Sequence, residues 1–272
     1  MLLNIRHQTT CRYDQPVARS IQQLRLTPRV EPSQHAIAWR ISAPGRRRQL
    51  TDAYGNVSHL LTLDQPHREI SIVVEGLVET VDEGAYLLHV DDAVSPLTYL
   101  GDTPLTRVDE GIRSFADEHL SSSGRDRFRA LVDFVPVVGQ RVAFAAGGEE
   151  PEQSVTASQA LSAGRGGGPD HAHIFIAACR AKGVPARFVS GYFYDGEGAT
   201  APLAASHAWA DAWVDGLGWV SFDVTRGQLA GREHCRLAVG RDYLDACPVR
   251  GVRRGGVAQE LHITVEAEPA RQ

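Results

Sequence analysis

Two side chains in the C-terminal half, His207 and Asp223, form the pair whose types and spacing suit proton transfer. Acyl-transfer chemistry through a thiol needs a cysteine at a helix N-terminus, a histidine to take its proton, and a carboxylate or amide to hold that histidine in one tautomer. His207 lies at the start of a predicted strand, Ser206 to Val214, and Asp223 near the end of the next, Trp219 to Val224. Asp215-Gly216-Leu217-Gly218 between them is a hairpin signal. Register decides whether the two meet: an odd-length loop puts them on one face, and an even-length loop does not.

The helix N-terminus that such chemistry uses is signalled upstream. Gly166-Gly167-Gly168-Pro169-Asp170-His171-Ala172-His173 runs into the apolar Ile174-Phe175-Ile176-Ala177-Ala178-Cys179. The glycines allow close backbone approach, Pro169 suits a first helical turn, and the apolar run reads as a buried helix. The loop itself carries no nucleophile. Cys179 is eleven residues further along that helix, about 16 Å away at 1.5 Å rise per residue, which is beyond a proton-transfer contact. Cys11, Cys235 and Cys247 read as small buried hydrophobes.

Two other chemistries are weighed at the same stretch. The glycine loop follows a predicted helix, Ala157 to Leu161 ending at Gly164, and lacks a Gly-Lys-Ser/Thr run, which argues against phosphate or dinucleotide binding. Asp170, His171, His173, His207 and Asp223 could in principle approach one another as ligands for a divalent metal. His171 and His173, however, are two apart on a helix, about 200° around it, and cannot both face one ion. The expectation is therefore no metal and no cofactor, with His173 buried and hydrogen-bonded and His171 partly exposed.

The elements that must position these residues fall into two groups. From Leu3 to about Val81 the chain reads as short strands, such as Ala36 to Ser42 and Glu69 to Val78, with Tyr54-Gly55-Asn56-Val57 as a tight turn. Residues 82–105 read as a linker. Helices are predicted from Arg107 to Leu120 and from Arg125 to Val138, Gly183-Val184-Pro185 ends the central helix, and Ala186 to Tyr194 is a strand. A flexible loop is expected from Asp195 to Ala205, and Glu260 to Glu266 alternates as a last strand. The division expected is a β-sandwich-like domain over 1–90, an α+β core over 91–255, and a final segment, 256–272, whose strand can return to the first sheet.

Composition bounds the function classes. With 28 basic against 33 acidic residues in 272, the net charge is −5, which does not suit a nucleic-acid partner. Arg46-Arg47-Arg48 is the single basic run and reads as a solvated loop. No segment reads as a secretory signal or a membrane span, so a cytoplasmic protein is expected. The four cysteines are far apart in sequence and read as reduced thiols, two or three of them buried.

Several of these runs carry a resemblance. Ser206-His207-Ala208-Trp209, Gly216-Leu217-Gly218-Trp219-Val220 and Phe222-Asp223-Val224-Thr225 resemble the histidine and aspartate motifs of the bacterial transglutaminase-like superfamily of papain-like cysteine peptidases. So do Gly183-Val184-Pro185-Ala186-Arg187 with Gly191-Tyr192, and Gly240-Arg241-Asp242-Tyr243 followed by Pro248-Val249-Arg250-Gly251. Tyr13, Pro16-Val17, Leu24 to Arg29 and Asp52 to Asn56 are similar to the β-rich domain that precedes the core in that group.

The resemblance implies a papain-like core and a Cys-His-Asp triad acting on peptide or protein amides. It also aligns the family's Gly-x-Cys-x-Asp run with Gly166-Gly167-Gly168-Pro169-Asp170, so Gly168 occupies the nucleophile's place, beside His207 and Asp223. Asp170 and Trp209 become candidate ligand-binding residues, although Trp209, Trp213 and Trp219 also fit core packing. Pro169 removes a backbone N–H where an oxyanion would sit, and His171 stands where an aromatic residue is usual. The expected protein is a pseudoenzyme that binds amide ligands or partners an active enzyme. The alternatives are an active hydrolase or transferase in which Gly168 replaces the native cysteine, and a metal site built on the His/Asp cluster.

Overall fold

The computed structural model describes residues 1–81, 87–88, 94–120, 127–145, 155–195, 204–256 and 259–269. Residues 82–86 and 89–93 of the expected linker, and most of the Asp195 to Ala205 loop, lie outside them. The first strand, β1 (Leu2–Leu24), is the axis of a seven-stranded antiparallel sheet. Leu3, Ile5, His7, Thr9, Cys11 and Tyr13 are buried at alternate positions, the period expected of one covered face.

Along one edge of β1 run β4 (Val57–Leu63) and then β5 (His67–Thr80). Along the other run β14 (Val249–Gly255) and then β15 (Gln259–Pro269), so the chain's last strand pairs with its first. β2 (Gln34–Ser42) extends the sheet beyond β5, and β3 (Arg46–Thr51) extends it beyond β4. Pairing on β1 shifts register between Arg12 and Val17 on one edge and between Val17 and Arg19 on the other; such shifts bend a sheet and increase its twist. The Arg46-Arg47-Arg48 run is not a loop. It forms exposed edge strand β3, where charge discourages further pairing.

The second layer is built on α4 (Gly168–Ala181), buried from Asp170 through Arg180. Such a helix must be covered all round, and it is: α1 (Glu110–His119), α2 (Arg127–Arg141) and α3 (Ala157–Ala163) pack against it on one side. On the other lies a sheet of β9 (Ala186–Tyr194), β10 (Ala204–Val214), β11 (Gly218–Asp223) and β13 (His234–Gly240), edged by β12 (Gln228–Leu229) and, on β11, β6 (Leu87–Leu88). Phe175 meets Phe134 on the helical side and Phe222 on the sheet side.

α3 is capped at both ends, by the Thr156/Gln159 box and by Gly164 at φ +64°, where a left-handed residue is needed. Between it and α4 the chain does not pass directly from helix to loop: β8 (Arg165–Gly166) pairs in parallel with β7 (Ala143–Phe144).

The two layers are bonded to each other. The turn before β4 clamps β13: Asn56 Nδ2 donates to the Val239 carbonyl at 2.8 Å and its Oδ1 accepts the Val239 N–H at 2.9 Å. Beneath lies a buried charge lattice. Asp211 accepts from Arg187 Nε at 2.8 Å and from both Arg236 Nη atoms at 2.7 and 3.1 Å, and Arg236 Nε reaches Glu31 at 3.1 Å. α5 (Tyr243–Ala246) then leads the chain back to β14.

Candidate active site

The site gathers at the N-terminus of α4. Gly167 is the N-cap, and Asp170 Oδ2 accepts the Gly167 N–H at 2.8 Å. Asp170 is therefore turned back onto its own helix end, with burial raising its carboxyl above the usual range against that hydrogen bond. Gly168 is the first helical residue. A Cβ placed on it meets Thr225 Oγ1 at 3.7 Å and Ala208 Cβ at 3.8 Å, ordinary contact distances, so a side chain has room there.

The hairpin answers the register question. Val214 pairs with Gly218, leaving the three-residue loop Asp215 to Leu217, and Ala210 pairs with Phe222. His207 and Asp223 consequently share a face, and His207 Nε2 lies 2.8 Å from Asp223 Oδ2. A carboxylate oxygen only accepts, so Nε2 carries a proton, and in the neutral ring Nδ1 holds the lone pair. His207 lines the same cavity as Gly168.

A third residue joins the pair. His234, at the start of β13, places Nε2 3.0 Å from the same Asp223 Oδ2, while the Arg226 N–H donates to Oδ1 at 3.2 Å. Burial alone would raise the Asp223 carboxyl; the bonds from His207 and His234 outweigh it and hold the carboxyl well below the usual range. Phe193 and Trp209 wall the cluster, with Trp209 stacked on His207 at 6.0 Å between ring centres. Trp209 is 1% exposed and is not part of the cavity wall, so here it supports His207 rather than a ligand.

The cavity, about 1020 Å³, lies between the two layers. Gly168, His207, Ser190 and Thr225 come from the core, and His7, Thr9, Cys11 and Tyr13 from alternate positions of β1.

The structure does not bring Asp170, His171, His173, His207 and Asp223 together as one set of ligands. His171 is buried, not partly exposed, with Nδ1 2.8 Å from the Gly167 carbonyl and Nε2 2.9 Å from that of Val142. His173 is fully buried and accepts the Tyr243 N–H at 3.0 Å, and burial lowers its pKa to about 3. The donor set that does assemble is His207, Asp223 and His234. A metal-bound imidazole donates through its other nitrogen. His234 Nδ1 instead accepts the Gly231 N–H at 3.0 Å; the Gly231 carbonyl is further, at 3.3 Å. His234 Nε2 therefore keeps its proton, and the trio fits a hydrogen-bond hub rather than a ligand set.

None of the four cysteines forms a disulfide, and all four are buried, one or two more than expected. Burial pushes the Cys179 thiol up, and the Cys235 thiol up to about 12, the reverse of an activated nucleophile.

Residues 3–79 match the bacterial transglutaminase-like N-terminal region, and residues 115–224 match the core of the transglutaminase-like superfamily. The chain belongs to the transglutaminase-like superfamily. Among its relatives, an uncharacterized Mycobacterium leprae protein is 28% identical, with 97% of each chain covered. An uncharacterized Mycobacterium tuberculosis protein is 26% identical over 91% of this chain and 86% of its own. A candidate cysteine protease from Cytophaga hutchinsonii shares the fold at a TM-score of 0.78 and 19% identity, over 100% of this chain and 91% of that one. Among the described residues, no helix of this transglutaminase-like chain is long and apolar enough to cross a membrane.

His234 is the site residue that sequence reasoning missed. Its role arises from β13 pairing beside β9, and no spacing relative to His207 or Asp223 announces it.

Proposed function

We propose that this transglutaminase-like chain lacks the family's thiol nucleophile and acts by binding peptide or protein amides in the cavity beside His207. The observation that carries the reading is Gly168: it begins the central helix next to an ordered His207–Asp223 pair and has no side chain to attack with. Loss of a triad nucleophile typically removes several orders of magnitude of rate, leaving what binding and dipoles supply. The His/Asp pair then serves as a polar wall, with the Nδ1 lone pair of His207 available to a ligand N–H. An active relative is the natural partner of such a protein, and the four buried thiols suit the reducing cytoplasm.

The room around Gly168 favours a second reading, in which an active hydrolase or transferase has its cysteine replaced at this one position; a cysteine codon at that position of the encoding gene would establish it. One experiment tests the site itself. Gly168→Cys, treated with a thiol-reactive amide probe, is expected to label at the introduced thiol, with labelling lost on His207→Ala. The unmodified protein is expected to bind amide peptides without turnover. Amide hydrolysis or transfer by the unmodified protein, abolished by His207→Ala, would refute the pseudoenzyme reading.

A further inference from the structure

Three polar side chains on the β1 side of the cavity hold one another in a row. His7 Nδ1 lies 2.7 Å from the Tyr192 hydroxyl, and His7 Nε2 lies 2.7 Å from Thr9 Oγ1. His7 and Thr9 line the cavity, whereas Tyr192, on β9, does not. His7 and Tyr192 are each 2% exposed and Thr9 is 1% exposed. Among the described residues, neither hydroxyl has another hydrogen-bond partner.

Counting hydrogens fixes the direction of the row. Burial lowers His7 to about 4, so at neutral pH its ring is uncharged, with one N–H and one lone pair. Each of the two contacts takes one hydrogen, and the three groups together carry three. One hydroxyl hydrogen is therefore left over, on Tyr192 or on Thr9. On Tyr192 it would be stranded in the apolar core of the first layer, against the Trp39 ring, with nothing to accept it. On Thr9 it lies at the cavity wall. The row thus runs from the Tyr192 O–H to His7 Nδ1 and from His7 Nε2–H to Thr9, leaving the Thr9 hydrogen to the cavity.

The core wall of the same cavity offers the reverse polarity, since Nδ1 of a neutral His207 holds a lone pair. Thr225 Oγ1, beside Gly168, is buried without a partner, but no neighbour orients its hydrogen, so it favours neither role. Thr9 alone of these hydroxyls has its direction set by the fold.

We propose that Thr9 positions the ligand by donating its hydroxyl hydrogen to a carbonyl or carboxylate oxygen, with His7 and Tyr192 holding it in that role. The proposal rests on the amide-binding reading above and adds a polarity to it: ligand oxygen toward β1, ligand N–H toward His207. A peptide carries both groups, whereas an amine would leave the Thr9 hydrogen without an acceptor.

Two measurements test it. With histidine labelled at nitrogen, long-range nitrogen–proton NMR of the free protein distinguishes a protonated ring nitrogen from a bare one. The His7 signal, identified by its absence in His7→Gln, is expected to show Nε2 protonated and Nδ1 bare at pH 7; the opposite tautomer would overturn the proposal. This readout is made on the unmodified chain and stands even if a Thr9 variant fails to fold. In the second measurement, a pool of end-capped peptides of varied sequence is passed over the immobilised full chain. Retained peptides are remade with one backbone carbonyl at a time changed to thiocarbonyl, a weaker acceptor. One position is expected to weaken binding about tenfold on the parent and on Thr9→Ser, which keeps the hydroxyl, and to have little effect on Thr9→Val. Thiocarbonyl effects that are the same on the parent and on Thr9→Val would overturn the role of Thr9 while leaving amide binding intact. Retention of no peptide would overturn both.

Discussion

Asp223→Asn is the substitution that most directly probes the hub. All three contacts of the Asp223 side chain come from donors: Nε2–H of His207 at 2.8 Å, Nε2–H of His234 at 3.0 Å and the Arg226 N–H at 3.2 Å. Asparagine must turn its NH₂ either on the two histidines or on the Arg226 N–H, so at least one donor faces a donor. The side chain is fully buried, and water cannot compensate. Charge-assisted bonds are worth about 1.5–3 kcal/mol each, and retaining an oxygen toward the histidines saves part of that, which gives an expected loss of about 3 kcal/mol at pH 7. Urea unfolding followed by tryptophan fluorescence measures it. The folded carboxyl titrates below its unfolded value near 3.9, so its contribution is complete above about pH 5 and is lost as pH falls. The deficit should therefore narrow below about pH 4. A variant within about 0.5 kcal/mol of the parent at pH 7 would refute the hub, since a deficit that small is typical of exposed sites.

Two further outcomes follow from burial elsewhere. Asp211→Asn leaves the Arg187 and Arg236 cations without their shared carboxylate and is expected to cost about 3–5 kcal/mol in the same urea assay, whereas a loss below about 1 kcal/mol would mean that solvent reaches the lattice. Burial lowers His7 to about 4 and His173 to about 3, so the unfolded chain binds protons below pH 6.5 that the folded chain refuses; stability should fall by about 2.5 kcal/mol per pH unit around pH 5, and a flat profile between pH 6.5 and 4.5 would contradict the burial of these rings.

What sequence can and cannot tell divides along local and distant determinants. Ala186 to Tyr194 is legible as a strand because Pro185 ends the preceding helix region and the run is rich in β-prone Phe, Val and Tyr; β9 has those same bounds. The hairpin is legible in kind but not in register, since Gly216 and Gly218 both adopt positive φ, at 83° and 88°, and the sequence allows either to close the loop. β1 is legible only in fragments, because Pro16 and the neighbouring register shifts interrupt an alternation that the long strand otherwise keeps. His234 is not legible at all: its bond to Asp223 is set by which strand lies beside β9, a tertiary choice.

The hub also bears on what an ordered His/Asp pair means. In a bare triad, the carboxylate's chief partner is the catalytic histidine, and its burial has little purpose without catalysis. Here Asp223 also receives His234 and the Arg226 backbone, and His234 in turn accepts the Gly231 N–H, so the carboxylate satisfies donors from β10, from the turn after β11 and from β13. Removing it would orphan buried groups whether or not any reaction occurs. The geometry of His207 is thus maintained by the fold's own hydrogen-bond closure, and it would persist beside Gly168 for structural reasons alone. That is why reactivity of a thiol introduced by Gly168→Cys, rather than the alignment of the pair, is the measurement that separates a site able to support thiol chemistry from a binding site built on the same frame.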